Sequence, residues 1–242
     1  MEKTETLTPA SSAQARPAFV LNRDRSISQQ VYEDLRARIV SLELEPGTNF
    51  SGTKLATHYG VSQMPVREAL LKLQQDGLVD IFRQSKTVVA PIDVQRVREA
   101  QFLRSSMEIE VSKVLARNPD KTRLAGPNRI YEEHCRQVER DPDDDAFYLL
   151  DGGFHRALFE AAGYEGLWIL VQERSGHLDR VRRLQIPSPG KPHRVIEEHG
   201  RILEAIRGSD ADGADREMRK HLSGALNELG GIIEKHPDFF AA

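Results

Sequence analysis

The chain has 242 residues, of which 39% are hydrophobic and 29% are charged, as is typical of proteins that fold around ordinary hydrophobic cores. This length suits two domains, and no apolar run approaches the roughly 20 residues that a membrane-spanning helix needs. The net charge of −3 argues against a protein that binds nucleic acid through bulk positive charge alone.

The start of the chain and its cysteine content indicate where the protein acts. Residues 1–24 lack the apolar core that follows a basic start in a signal peptide, so we interpret them as a disordered tail. The single cysteine, Cys135, excludes an internal disulfide and fits a reducing compartment. We therefore expect a cytoplasmic protein with no membrane partner.

Three helices are predicted in the first part of an N-terminal domain that spans residues 25–92. Apolar residues recur at helical spacing over residues 28–42, with Ser28 as a candidate N-cap. A second, short helix covers residues 51–59. A third helix follows Ser62, which is also a candidate N-cap.

Two short β-like runs, Leu78–Phe82 and Thr87–Ala90, follow the third helix and complete a winged helix-turn-helix. The third helix would enter the major groove of double-stranded DNA, whose dimensions accept one α-helix, and the hairpin tip would lie along the backbone or the minor groove. Residues 25–92 carry 8 Lys and Arg against 7 Asp and Glu, so contacts with DNA must come from charges placed on one face. The candidate DNA contacts from this pattern are Ser62, Gln63, Arg67, Arg83 and Lys86.

Strand signals nearly vanish after the hairpin, and helical patterns dominate residues 93–236. Six or seven helices over this length make an all-α bundle. The predicted fold class is therefore mainly α, with a small β-hairpin in the N-terminal domain, and residues 237–242 remain as a C-terminal tail. The predicted helices cover roughly residues 93–117, 121–140, 143–162, 165–184, 191–208 and 210–236.

Four polar residues in these helices form a candidate metal site. Asp151 and His155 are four residues apart, so on a helix they lie on one face, one turn apart. His199 and His221 each lie in the middle of a later helical pattern. If the helices converge, three neutral imidazoles and one carboxylate suit a borderline divalent ion such as Zn²⁺ or Ni²⁺.

The other histidines are more simply explained as surface or hydrogen-bonded residues. A lone histidine is seldom a metal ligand, whereas the candidate set has apolar neighbours such as Phe154 and Leu158. Burying four polar groups without a partner costs several kcal/mol, and a bound metal would remove that cost. The histidines that we assign no metal role are His58, His134, His177 and His193.

Longer motifs in both halves of the chain resemble a known family. The pattern GVS-x-x-PVREAL-x-x-L-x-x-DGLV, from Gly60 to Val79, resembles the DNA-binding domain of GntR-type bacterial transcription regulators. In the second half, the segments 102–110, 151–163, 197–206 and 218–222 resemble the FCD ligand-binding domain of the FadR subgroup. This resemblance covers residues 25–236, and it implies a homodimeric regulator whose helical domain binds a metal and a small organic acid.

The resemblance carries the metal ligands over one by one. Asp151 and His155 match the D-x-x-x-H helix of the family, His199 matches the histidine of its EH pair, and His221 matches the histidine of its last helix. Members of the family hold Zn²⁺, Ni²⁺ or Mn²⁺. Ligand softness favours zinc here.

Arg104 matches an arginine that often lies near the ligand pocket in the family. Its planar guanidinium suits a carboxylate, so we predict that it binds the effector, with Glu108 one turn later as its orienting partner. The alternative is an intrahelical Arg104–Glu108 pair at the surface, worth under about 1 kcal/mol. His177, Arg180 and Arg183 are further pocket candidates that spacing alone leaves open.

Three departures from the family's DNA-binding pattern concern specificity. Gln63 stands where members usually carry arginine, and Gln pairs well with adenine whereas Arg pairs with guanine. Thr53 occupies a position where an arginine often touches DNA, and we expect it to reach a phosphate more weakly. The wing also lacks the glycine common at its tip, around Ser85 and Lys86.

The combined hypothesis is a homodimer that binds a pseudo-palindromic operator and releases it when a small carboxylate occupies the metal site, although activation is also open. One alternative is a metal-responsive regulator that senses the ion itself. A second is a metal-dependent hydrolase, in which the ion activates water, although no separate general base stands out. A third is a structural metal beside a larger cavity that binds a lipid-like effector.

Overall fold

The computed structural model describes residues 19–82, 86–140, 144–185 and 190–241. These residues form two compact units. The first contains the chain up to Val94 together with the segment from Lys235 onward, and the second contains Gln95–Glu234.

Within its described residues, the N-terminal unit contains three α-helices, three short strands and the 3-10 turn Pro237–Phe239. A three-stranded antiparallel sheet has the order β1-β3-β2, so the predicted two-stranded hairpin gains a third strand at its β3 edge. Its elements are α1 (Ile27–Val40), β1 (Asn49–Phe50), α2 (Gly52–Tyr59), α3 (Gln63–Gln75), β2 (Val79–Phe82) and β3 (Lys86–Val89).

The ends of these helices follow local capping chemistry. The prediction of Ser28 as the N-cap of α1 is wrong, because the hydroxyl of Ser26 accepts the hydrogen bond from the backbone N–H of Gln29. α2 ends at Gly60, whose φ of 65° lies in the left-handed region that glycine tolerates best. Ser62 is the N-cap residue of α3, as predicted, although its side chain makes no capping hydrogen bond within the described chain.

The core of the N-terminal unit lies between α1, α3 and the sheet. Leu35 and Ile39 of α1, Leu55 of α2 and Leu73 of α3 are fully buried in one cluster. Within the predicted N-terminal tail, Phe19 packs edge-on against the ring of Tyr59, with ring centroids 4.8 Å apart. At the other end of the chain, in the predicted C-terminal tail, Phe240 forms a parallel β-bridge with Ile92.

The second unit is entirely helical apart from its connections, which confirms the predicted fold class. Among the described residues, no helix has both the length and the apolar character that crossing a membrane requires. The elements are α4 (Val94–Arg117), the 3-10 turn Lys121–Leu124, α5 (Ala125–Arg140), α6 (Asp144–Ala162), α7 (Glu165–Arg174), α8 (Gly176–Gln185), α9 (Lys191–Arg207), α10 (Ala211–Asn227) and α11 (Leu229–Lys235).

Two of the predicted helices are each divided in the structure. The segment predicted as one helix over residues 165–184 breaks at Ser175, whose hydroxyl donates to the carbonyl of Val171 and which precedes Gly176. Ser-Gly pairs commonly interrupt a helix in this way. The segment predicted over residues 210–236 breaks at Glu228, the C-cap residue of α10, and α11 begins at Leu229.

The core of the second unit is built around α6. Phe154, Leu158 and Phe159 of this helix are buried against Ile202 and Ile206 of α9, and Met218 and Leu222 of α10 belong to the same cluster. α9 packs against both α5 and α10. This packing brings the inward faces of α6, α9 and α10 together, and each of these faces carries candidate metal ligands.

Candidate metal centre and DNA-binding surface

α6 presents Asp151 and His155 on its buried face. They are four residues apart, and they are 4% and 0% exposed respectively. The Nε2 atom of His155 lies 4.0 Å from Oδ1 of Asp151, so both side chains face the same point in the bundle.

α9 and α10 bring the remaining two imidazoles to this point. The Nε2 atom of His221 lies 3.2 Å from that of His155 and 3.3 Å from that of His199. His199 Nε2 is also 3.5 Å from Oδ1 of Asp151. The four potential ligand atoms all lie within 4.8 Å of one another.

Two glutamates lie behind the imidazoles and contact their other ring nitrogens. Oε2 of Glu108, on α4, is 2.5 Å from Nδ1 of His155, and Oε2 of Glu198 is 2.9 Å from Nδ1 of His221. Such contacts favour the tautomer that carries its proton on Nδ1, which leaves the Nε2 lone pair facing the cluster. Sequence reasoning assigned Glu108 to Arg104 alone and did not identify Glu198, although it precedes His199 directly in the chain.

His199 is positioned by packing rather than by a carboxylate. Its ring stacks on Phe154, with centroids 3.9 Å apart and an interplanar angle of 16°. Its buried Nδ1 has no hydrogen-bond partner among the described residues. The ring of His134 on α5 also lies near His199, with its centroid 5.8 Å away. It is fully buried and neither ring nitrogen has a hydrogen-bond partner among the described residues, so the prediction of a surface or hydrogen-bonded side chain is wrong.

The electrostatics of the cluster keep the carboxylate of Asp151 charged and the imidazoles of His155 and His199 neutral. Although burial raises the pKa of Asp151, the Arg182 guanidinium and the three imidazoles hold it well below its usual range. Burial lowers the pKa of His155 to about 4, partly offset by Glu108, and burial followed by His221 lowers the pKa of His199. These are the protonation states in which the groups act as metal ligands.

The donor set fits a single divalent cation. Two ligands that lie about 2.0–2.1 Å from one ion are roughly 2.9–3.4 Å apart at angles between octahedral and tetrahedral. The Nε2 separations of 3.2 and 3.3 Å and one Nε2–Oδ1 separation of 3.5 Å are near this range, whereas the Nε2 of His155 lies 4.0 Å from Oδ1 of Asp151. An ion would also satisfy the lone pairs that face one another in this largely buried cluster.

A cavity of about 320 Å³ opens beside the cluster, and Arg104 lines it. The guanidinium is 4% exposed, and its Nε donates to Oε1 of Glu108 at 2.5 Å. Its Nη2 is buried without a hydrogen-bond partner among the described residues. The alternative of a surface Arg104–Glu108 pair is therefore wrong, because both side chains are buried. Arg104 lines the cavity and has one donor that is unused among the described residues.

A second cavity arginine was missed by sequence reasoning. Arg182 of α8 lines the cavity and donates to both Asp151 and Asp179, whereas His177, Arg180 and Arg183 do not line it. Instead, Arg180 is fully buried with Nη2 3.0 Å from Nδ1 of His177. The arginine-rich run of α8 was visible in the sequence, but only the packing selects which of its arginines faces Asp151.

The predicted DNA-contacting residues of the helix pair lie on one exposed region of the N-terminal unit. Thr53, Ser62, Gln63 and Arg67 are all exposed. Nε2 of Gln63 approaches Oγ1 of Thr53 at 3.5 Å, so the first turns of α2 and α3 are neighbours. This arrangement leaves Arg67 available on the outer face of α3.

The structure describes one of the two predicted wing contacts, Lys86, but not Arg83. Lys86 is exposed, but it is the first residue of strand β3, where it pairs with Phe82, rather than a residue of the connecting loop. Arg83 and Ser85 lie outside the described residues.

Comparison with known families identifies two matching models. Residues 27–89 match the model described as bacterial regulatory proteins of the gntR family, and residues 99–224 match the FCD domain. A transcriptional regulator of the helix-turn-helix type from Streptomyces ambofaciens is 34% identical over 217 residues, which cover 90% of this chain and 91% of that relative. The transcriptional repressor RspR of Escherichia coli K12 is 29% identical over 221 residues, covering 91% and 96% respectively.

Solved structures show the same fold. Escherichia coli McbR/YncC superposes with a TM-score of 0.72 at 19% identity, covering 88% of this chain and 99% of that one. A GntR transcriptional regulator from Rhodococcus sp. RHA1 gives a TM-score of 0.71 at 19% identity, covering 86% and 99%. At this identity the similarity establishes the architecture alone.

Proposed function

The chain belongs to the gntR family of bacterial regulatory proteins and carries an FCD domain, so it is a DNA-binding transcription regulator and not an enzyme, and we propose that an organic acid at a metal site controls it. The observation that carries this proposal is the convergence of Asp151, His155, His199 and His221 beside a cavity lined by Arg104.

The proposed metal ligands are these four residues, and the proposed ion is Zn²⁺. Three imidazoles and one carboxylate suit zinc, and nickel and manganese are the alternatives. The ion, when bound, would supply a positive centre, and coordination beyond the four protein ligands would admit a carboxylate. Glu108 and Glu198 would hold two of the imidazoles in the tautomer that binds it.

Arg104 is the proposed partner of the effector carboxylate. A buried guanidinium with an unused Nη2 donor carries an uncompensated desolvation cost, which an incoming carboxylate would relieve. The acid would therefore contact both the metal position and Arg104. Only an effector that favours one of two states of the protein can change its DNA affinity.

The proposed partner is a pseudo-palindromic operator bound by a homodimer in the cytoplasm. Two-fold symmetry of the operator would match that of a dimer, and the weak net charge of residues 25–92 favours two copies acting together. We propose repression relieved by the acid, since the similar protein RspR is named a repressor. Membership of the FadR subgroup remains a prediction from sequence.

The proposal is tested on one protein preparation by measuring which metal and acid are bound to it and how tightly it binds the operator. Intact-mass spectrometry of the full-length protein under native conditions is expected to show one divalent ion per chain together with a bound acid. Adding the identified acid to the metal-loaded protein should then weaken operator binding. DNA affinity that follows free metal without any acid would instead favour a sensor of the ion itself, and protein that purifies and folds without affinity for divalent metal would overturn the proposal.

Arg67→Ala is expected to weaken operator binding by roughly 5- to 150-fold, corresponding to about 1–3 kcal/mol. Arg67 is exposed on α3, the helix proposed to enter the major groove, so its loss removes a direct contact without disturbing the core. Fluorescence anisotropy with labelled operator at fixed salt measures the change.

Arg25→Ala is a matched control because it also removes one positive charge, but near the last turn of α3 rather than near its first turn. Arg25 precedes α1, whose first turn lies near the end of α3, as the hydrogen bond from Lys72 to Gln29 shows. It pairs with Glu33 at the surface, so we expect little effect on DNA binding. An equal loss in both variants would mean that Arg67 acts only through net charge.

A further inference from the structure

The cavity beside the metal cluster, which we call the slot, is lined by residues of α4, α6, α8, α9 and α10, and its lining reaches from His221 at one end to Lys191 at the other. At one end, the Nε2 atoms of His199 and His221 are 3.3 Å apart. At the other end, Nζ of Lys191 lies 3.7 Å from Oε2 of Glu228. Lys191 precedes His199 by eight residues on α9, about 12 Å along the helix axis, so the cavity spans well beyond the metal ligands.

The charges at the far end of the slot are out of balance. Glu228 is shared between two cations, with Oε1 3.0 Å from Nη2 of Arg194 and Oε2 near Lys191. Nζ of Lys191 also donates to the neutral Oε1 of Gln185 at 2.7 Å. One carboxylate therefore faces two cations at this end.

Among the described residues, five cations and three carboxylates line the cavity, and Glu108 and Asp179, which do not line it, pair with Arg104 and Arg182. The lining carboxylates are Asp151, Glu198 and Glu228. The unbalanced positive charge therefore lies at the far end, and a positively charged cleft attracts and concentrates anions. Its cationic lining residues are Arg104, Arg182, Lys191, Arg194 and Lys220.

The largely buried ammonium group of Lys191 has one carboxylate beside it, which it shares with Arg194. Its side chain is 12% exposed, and burial lowers the pKa of its ammonium group to about 8. Glu228 raises this pKa, but Arg182 and Arg194 lower it further. A second anionic group at this position would relieve the imbalance.

We propose that the effector is a two-ended acid, whose first carboxylate lies at the metal end and whose second anionic group binds Lys191 and Arg194. This inference rests on the proposed function, because it takes the metal end as the site of the first carboxylate. The second group is a carboxylate or a phosphate, since both suit an ammonium and a guanidinium. Because eight residues of α9 separate Lys191 from His199, the length of the acid decides whether it can reach both groups.

The test compares acids that differ only at the far end. Isothermal titration calorimetry of the full-length, Zn²⁺-loaded protein would use hexanoate, adipate and 5-phosphonopentanoate, with succinate and pimelate as length controls. We expect the better of adipate and 5-phosphonopentanoate to bind roughly 10- to 100-fold more tightly than hexanoate, as a charge-assisted contact provides. Which of these two binds more tightly identifies the chemistry of the second group.

Lys191→Met should remove this preference while hexanoate binding is retained, which also shows that the variant is folded. Lys113→Met is the matched control, because Lys113 pairs with Glu110 outside the cavity and its loss changes the net charge equally. We expect the control to keep the full preference for two-ended acids.

The outcomes separate this inference from the proposed function. If one-ended and two-ended acids bind equally, or if Lys191→Met leaves the preference intact, the far-end subsite is disproved while the metal-end site stands. If none of these acids binds the Zn²⁺-loaded protein but a neutral ligand does, the proposed carboxylate site at the metal fails as well.

Discussion

His199→Ala is expected to abolish the response of operator binding to the effector acid while DNA binding without metal is preserved. The imidazole is one of four potential ligands and is fully buried at their centre. Loss of a residue that only hydrogen-bonds to a metal ligand costs about 10- to 100-fold in metal affinity. Loss of a ligand itself should therefore reduce the metal affinity by at least about 100-fold. Without the ion, the acid has no anchor at the metal end, so the coupling between acid and DNA disappears.

Two further variants make this prediction specific. His199→Phe retains an aromatic ring that can stack on Phe154, so it separates loss of the ligand from loss of packing. His193→Ala changes an exposed histidine of the same helix and should respond normally. Metal content and acid-dependent operator binding are measured for all three variants, and a normal response of both His199 variants would refute the role of this site.

Glu108→Gln is expected to weaken metal binding by about 10- to 100-fold and to destabilise the fold. Glu108 contacts Nε of Arg104 and Nδ1 of His155, each at 2.5 Å. Burial raises its pKa, but Arg104 and His155 together lower it to about 2, so the group is charged at neutral pH. The neutral amide leaves the Arg104 charge uncompensated beside the metal position, and breaking a buried ion pair costs about 3–5 kcal/mol.

Metal affinity by competition with a chelator and urea unfolding of the metal-free protein measure the two effects separately. Glu110→Gln is the control, because this exposed residue on the same helix pairs with Lys113 at the surface. Glu198→Gln removes the partner of His221 and should weaken metal binding with less loss of stability, since Glu198 is less completely buried. Unchanged metal affinity in both Glu108→Gln and Glu198→Gln would show that these carboxylates do not position the imidazoles.

Several features of the site were accessible from local sequence pattern. The four-residue spacing of Asp151 and His155 determines that they share a helix face, and the structure places both on the buried side of α6. The winged helix-turn-helix was equally accessible, since Gly60, Ser62 and the Asp76-Gly77 pair mark where its helices begin and end. Such signals act within a few residues, so they do not depend on how the chain folds over longer distances.

Other features depended on contacts between residues far apart in the chain. Arg182 is 31 residues from Asp151, its partner, and nothing in the arginine-rich run of α8 distinguishes it from Arg180 or Arg183. The predicted helix over residues 165–184 was wrong for a local reason, because an uninterrupted apolar pattern concealed the break at Ser175.

The sequence by itself determined the helical class, the two-part organisation and the identity of four potential ligands, because helix periodicity and residue chemistry are local properties. Tertiary structure alone decided that α6, α9 and α10 bring those ligands within 4.8 Å of one another, and that Glu108 and Glu198 lie behind them. It also decided that Lys191 and Glu228 form the opposite end of the same cavity. The physical reason is that burial and charge balance arise only when side chains from separate helices are packed together and removed from water.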